Sequence, residues 1–236
     1  TFSELAAREA LKMAGISGSE IEMIVVGTVT PDTVMPSTAN QLQAALGAHH
    51  AFSFDLQAAC SGFLFGLSIA NNFIRVGQVK TALVVGAETL SSLVNWQDRS
   101  TCVLFGDGAG AAILQRTETP EHSVLATKVY SDGRYGSILQ IPHGYSKIPP
   151  HSAEYRSDMH KIKMVGSDIF KMAVRNMVEC SQEILKEQGF TVADVDHFIF
   201  HQANIRIIDM CLKTLGIPAE MASINVQKYG NTSAAT

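Results

Sequence analysis

Short apolar runs that read as buried strands alternate, along 236 residues, with helix-patterned segments that mostly end at a glycine. This alternation constrains the fold more than any other feature, because alternating strands and helices argue for layers of helix around sheet. Residues 4–14 (ELAAREALKMA) are good helix formers with Gly15 as a stop. IEMIVVGTV reads as a buried strand, and Pro31 and Asp32 turn the chain. Residues 37–46 predict a helix closed by Gly47, and AFSFDL puts Phe52, Phe54 and Leu56 on one strand face. An apolar helix is expected from Ser61 to about Val76, with small residues that let neighbours approach and an all-round apolar character that predicts burial. TALVVGAE, GAGAAILQ and VLATKVY read as strands, and residues 131–155 as a long surface loop. Ser167 is placed to cap a helix with a stripe of Phe170, Ala173, Met177, Cys180 and Ile184. HFIF and MASINV read as strands around a helix over NIRIIDMCLKTL, and GNTSAAT as a helix start. The expected class is α/β, with a division near 120/121 into an N-terminal half (1–120) and a C-terminal half (121–236).

Composition narrows the function. The chain is 46% hydrophobic and 17% charged with a net charge of −4, which describes a core-forming domain rather than a disordered one. Without a basic run, nucleic acid is not expected as a partner. No apolar run reaches the roughly 18–20 residues that cross a bilayer. Cysteines at 60, 102, 180 and 211 have no CxxC spacing, so reduced thiols in a cytoplasmic setting are expected. The opening at Thr1, already in a helical pattern, reads as a chain cut at the front, with a plastid location open if a transit segment has been removed.

Three residues stand where strand gives way to helix, the usual side for active sites of α/β proteins. Cys60 lies in DLQAACSGF, His201 in HQANIRI and Asn231 in KYGNTSAAT. A cysteine is most often a small buried hydrophobe, and Cys102, Cys180 and Cys211 are read that way. Cys60 differs in its place: a thiol at a helix start meets free backbone N–H groups and the macrodipole, which favour thiolate. His201 could equally be a satisfied polar residue, and Asn231 an N-cap or turn asparagine. Together they supply a nucleophile and two hydrogen-bond donors. A papain-like protease would carry CG[SA]C[WY], which is absent, and a zinc site would need clustered ligands. FGDGAGAAIL fits G-x-G-x-x-[GA] but leads into a strand rather than a phosphate-capping helix, so its glycines are read as serving tight turns and close packing.

DLQAACSGF, FGDGAGAA, HQANIRI and YGNTSAA, in this order, closely resemble the β-ketoacyl-acyl carrier protein synthase III family over essentially the whole chain. The resemblance implies a thiolase-like fold of two similar halves in five α/β/α/β/α layers. It implies an acyltransferase of fatty acid synthesis. Cys60 would attack an acyl-coenzyme A thioester and hold the acyl group. Malonyl-acyl carrier protein would then decarboxylate to an enolate, with His201 and Asn231 donating to the thioester oxygen. Elongating synthases pair Cys with two His and thiolases use a second Cys as base, so Asn231 assigns the branch. No cofactor and no metal are implied, and the partners are the two substrates and a second copy in a homodimer.

Other positions carry over from the family, each with a plain structural alternative. Arg99 matches an arginine at the coenzyme A adenine, or is a solvated loop charge. Lys171 and Arg206 match basic positions at the pantetheine tunnel mouth, facing phosphate or the acidic carrier protein. Asn204, Ser167 and Phe170 match tunnel residues, and Met35 the residue that enters the partner subunit's acyl pocket. Family members carry further segments at both ends, which makes these residues an incomplete span, expected by itself to fold poorly and turn over slowly. Two alternatives stay open: a starter synthase of a polyketide or specialised acyl pathway, and a non-catalytic thiolase-like module.

Overall fold

The computed structural model describes residues 1–119 and 122–236. It divides into two compact units, one of Thr1–Glu88, Asp107–Val129 and Thr232–Thr236, the other of Thr89–Gly106 and Tyr130–Asn231. The division expected at 120/121 falls on the two residues outside the described ones.

The first unit is built on a four-stranded sheet of order β2-β1-β3-β4, with β1 Met23–Gly27, β2 Phe52–Leu56, β3 Thr81–Thr89 and β4 Asp107–Gln115. β1 runs parallel to both neighbours, with Met23 opposite Phe52 on one side and Ala82 on the other. Every residue of β1 is buried, as expected of a strand covered on both faces. The period-2 alternation sorts the side chains. Ile24, Val26, Leu83, Val85 and Ala87 pack with α1 (Phe2–Ala14) and α2 (Thr38–Leu46). Met23, Val25, Ala82 and Val84 face α3 (Gly62–Arg75). α1 and α2 end as predicted, at Gly15 and Gly47 in the left-handed region. The start of α2 is fixed by Asp55 of β2, which accepts from the backbone N–H groups of Thr38 and Ala39 at 2.9 and 2.8 Å.

α3 meets the sheet through its small residues. A Cβ on Gly27 would come within 2.7 Å of the Gly62 backbone, so the β1–α3 approach requires glycine. The helix is less buried than predicted: Gly62, Gly66, Ala70 and Asn71 are buried, but Leu64 is 57% exposed. The small residues draw one side onto the sheet, Phe63, Leu67, Phe73 and Ile74 pack partly buried beside them, and Leu64 turns outward.

The second unit rests on α4 (Gly166–Glu187) and α5 (Ile205–Leu215), which pack through Val174, Met177, Val178, Ile208, Cys211 and Leu212. Ser167 does not cap α4; the helix starts one residue earlier, after Val165, and the serine is exposed within its first turn. HFIF and MASINV do not form strands: the two segments meet in one bridge, Phe198 opposite Ala222. Beyond the bridge, Gln202 links the two segments. Its buried carboxamide donates to the carbonyls of Phe200 and Ser223 at 2.9 and 3.0 Å and accepts from the N–H groups of Asn225 and Val226 at 2.8 and 3.2 Å. A side chain thus takes the place of a ladder. VLATKVY is likewise irregular, with no strand assigned to it. Residues 131–155 form the expected irregular stretch, apart from a 3-10 turn at Gly133–Tyr135 and β5 (Leu139–Gln140), which pairs antiparallel with β6 (Lys163–Met164).

Candidate active site

β2 leads through a 3-10 turn, Ala59–Ser61, into α3, and Cys60 stands in that turn, half-buried. Ser233, in the 3-10 turn Ser233–Ala235, hydrogen-bonds the thiol. Burial pushes the thiol up from its ordinary value, and the negative charge of Glu88 adds to this; the Ser233 bond and the backbone at Cys60 pull the other way. This corrects the expectation of a favoured thiolate: removing a charge from water outweighs the polar groups at the turn.

Glu88, at the end of β3, was not singled out by the sequence reading. It is 1% exposed and shares the α3 face of the sheet with Ala82 and Val84. Its carboxylate accepts from Thr30 Oγ1 at 2.6 Å, from the Val29 N–H at 3.1 and 3.2 Å, and from Thr28 Oγ1 at 3.4 Å. Ser233 bonds it as well. A charged residue closing the apolar run TALVVGAE is the signal that could have found it.

His201 and Asn231 belong to the other unit. His201 lies between Phe200 and the Gln202 clamp, and burial alone pushes its imidazole down to about 4. At neutral pH the ring is uncharged, with one nitrogen a donor and the other an acceptor. Asn231 is buried and opposes Phe105 in a parallel bridge: its N–H donates to Leu104 O at 2.8 Å and its carbonyl accepts from the Gly106 N–H at 3.0 Å. The N-cap alternative falls away, because the following 3-10 turn is entered from Thr232. Gly230 precedes it at φ 70°, where a Cβ would crowd Leu104 O at 3.1 Å.

Of the remaining positions, Asn204 caps α5, its side chain accepting from the Arg206 N–H at 2.9 Å. Phe170 is partly buried against the α4–α5 core. Lys171 and Arg206 are exposed on α4 and in the first turn of α5, and Arg99 is exposed on a loop. Met35 is 85% exposed in the first unit. Cys211 is fully buried with its sulfur 4.0 Å from Val174 O, while Cys102 and Cys180 are half-buried. Among the described residues no group of three or more His, Cys, Asp or Glu could hold a metal ion, and no helix is long and apolar enough to cross a membrane.

Two family profiles match this chain: 3-oxoacyl-[acyl-carrier-protein] synthase III over residues 54–133 and its C-terminal region over residues 185–236. A curated β-ketoacyl-[acyl-carrier-protein] synthase III from Alkalilimnicola ehrlichii is 48% identical over 237 residues, covering 100% of this chain and 72% of the relative. The chain belongs to the β-ketoacyl-acyl carrier protein synthase III family. The crystal structure of the synthase III from Aquifex aeolicus, 44% identical, superposes with a TM-score of 0.89 over 99% of this chain and 70% of that one. A priming β-ketosynthase of the R1128 polyketide pathway, 34% identical, gives a TM-score of 0.89 over 99% of this chain and 69% of that one. The α/β, thiolase-like class predicted from the sequence is the one this family has, and the chain is an acyl-transferring condensing enzyme.

Proposed function

We propose that the protein initiates fatty acid synthesis by joining an acyl-coenzyme A primer to malonyl-acyl carrier protein, giving a 3-oxoacyl-acyl carrier protein, coenzyme A and CO2. One observation carries the reading: a half-buried thiol sits at a strand-to-helix turn in a chain that matches synthase III relatives along its whole length. The Cys60 sulfur attacks the acyl carbonyl, a carbon–sulfur bond to the enzyme forms, and the bond to coenzyme A breaks. Malonyl then loses CO2, and the electron pair left on carbon attacks the acyl-enzyme, releasing the Cys60 sulfur.

Decarboxylation piles negative charge on the malonyl thioester oxygen. Neutral His201 and the Asn231 carboxamide are the donors for it, each worth about 10²–10³ in rate. Because decarboxylation itself creates the carbon nucleophile, no base has to abstract a carbon-bound proton. The N-terminal half supplies the nucleophile and the C-terminal half the donors. Arg99 serves coenzyme A; Asn204, Ser167 and Phe170 line its path; Met35 limits the primer; Lys171 and Arg206 meet phosphate or the carrier protein. The enzyme works as a cytoplasmic homodimer without a cofactor.

The R1128 relative favours a second reading, in which the same condensation starts a polyketide or specialised acyl chain. The test is product formation from a panel of acyl-coenzyme A primers with malonyl-acyl carrier protein. Turnover limited to short straight or branched primers supports the first reading, and turnover with only unusual primers the second. Absence of 3-oxoacyl product with every primer contradicts both.

A further inference from the structure

An attacking thiol must lose a proton, and burial holds the Cys60 proton on. The surroundings of the sulfur contain a way out. Ser233 bonds the thiol on one side and the Glu88 carboxylate on the other. A hydroxyl has one donor and two acceptor sites, so it can hand a proton on while receiving one. Glu88 is held on the α3 side of the sheet by Thr28, Val29 and Thr30. Ser233 is brought to it by Gly86, on the same strand face: an added Cβ there would lie 1.9 Å from Ala234 O, so only glycine lets the 233–235 turn rest on β3.

The backbone is strained at this spot. Among the described residues the non-glycine positions with positive φ are Ala59, at 46°, and Ser233, at 54°. One adjoins Cys60 and the other is the bridging serine. Such conformations are costly and persist where the surroundings over-determine them, which makes them markers of functional sites.

We propose that Ser233 and Glu88 form a proton relay behind Cys60. As the sulfur attacks the acyl-coenzyme A carbonyl, the thiol proton passes to Ser233 Oγ while the serine proton passes to Glu88. Coenzyme A departs as a thiolate and takes its proton from water. Glu88 keeps the stored proton through the acyl-enzyme stage. When the malonyl-derived enolate displaces the Cys60 sulfur, the proton returns along the same path, and thiol and carboxylate are restored. The whole cycle then consumes one proton from solvent. Burial raises the Glu88 carboxyl above the ordinary carboxylate range, making it a stronger acceptor than a solvated glutamate. Ser233 touches the reacting sulfur; Glu88 acts through it, as a positioning residue.

The inference rests on the proposed condensation, and its test separates the two. Acetyl-Cys60 formation from acetyl-coenzyme A is followed by rapid quench and mass spectrometry, and malonyl-acyl carrier protein decarboxylation by CO2 release, in the wild type, Ser233→Ala and Glu88→Gln. Acylation requires loss of the thiol proton and decarboxylation does not. The relay predicts that both variants lower the ratio of acylation to decarboxylation rate by about 10²-fold, within the range for a general base. It also predicts a normal solvent deuterium isotope effect on wild-type acylation that is diminished in the variants. Ser233→Ala leaves the Thr28, Val29 and Thr30 bonds of Glu88 in place, so it answers the question even where Glu88→Gln folds poorly. Variants that acylate at the wild-type rate, or that lose both steps in proportion, overturn the relay and leave the condensation standing. A wild type that never acylates Cys60 overturns both.

Discussion

Cys60 and His201 are both held in their uncharged forms by burial, but their surroundings differ. The thiol has a hydroxyl and a carboxylate behind it; the imidazole is pushed down to about 4 by burial alone, among neighbours fixed by the Gln202 clamp. The difference suits the roles proposed for the two residues. A nucleophile changes protonation state in the cycle and needs somewhere to send the proton. A hydrogen-bond donor has to keep its proton, and an environment that forbids charging serves it best.

The sharpest way to break this contrast is to remove the sulfur. Cys60→Ala is expected to abolish condensation, read as 3-oxoacyl product, while malonyl decarboxylation continues. The next largest effect falls on the donors: His201→Ala and Asn231→Ala should each slow malonyl decarboxylation about 10²–10³-fold, yet still allow acetyl-Cys60 to form. An equal loss of acylation in these variants would contradict the assignment of separate roles.

The His201 environment also makes a pH prediction. Its folded value, about 4, lies below the ordinary 6.5, so as pH falls the unfolded chain takes up a proton first. Its contribution to stability is complete above 6.5 and is lost as pH falls toward 4. Accordingly, the decarboxylation rate constant should show no histidine inflection between neutral pH and 5, whereas the thermal midpoint should decline across that interval. An inflection near 6.5 would mean that the imidazole is solvated.

Smaller effects are expected further out. Gln202→Leu strips partners from buried backbone groups, each worth about 1–3 kcal/mol when left unpaired. It should lower the unfolding midpoint by several degrees and impair decarboxylation by loosening His201. Lys171→Ala and Arg206→Ala, at exposed charges, should raise KM for malonyl-acyl carrier protein about two- to fivefold with little change in kcat, and the effect should fade as salt rises.

The two units were not equally legible in the sequence. In the first, local pattern and long-range structure agree: MIVVG is apolar throughout because helices cover both sheet faces, and Gly15 and Gly47 stop helices where the left-handed turn is needed. In the second, HFIF has strand composition, but it meets MASINV in a single bridge, and the Gln202 carboxamide supplies further links between the segments. No residue-by-residue propensity reports a carboxamide acting as a substitute ladder. The chemistry divided in the same way. Cys60, His201 and Asn231 stand out in the sequence because reactive residue types recur at strand ends. Glu88 and Ser233 carry no such local signal, because their contact joins residues far apart in the chain. The thiol's protonation is not legible in the same way, because a helix start is visible in sequence and the burial that raises the thiol is not.

The most direct test is where the acyl group goes. The intact protein is incubated with acetyl-coenzyme A, digested and mapped by mass spectrometry. The account predicts one acetyl group, carried by Cys60 and discharged when malonyl-acyl carrier protein is added. Acetylation spread over Cys102 and Cys180, or a Cys60 adduct that malonyl-acyl carrier protein does not remove, would contradict it.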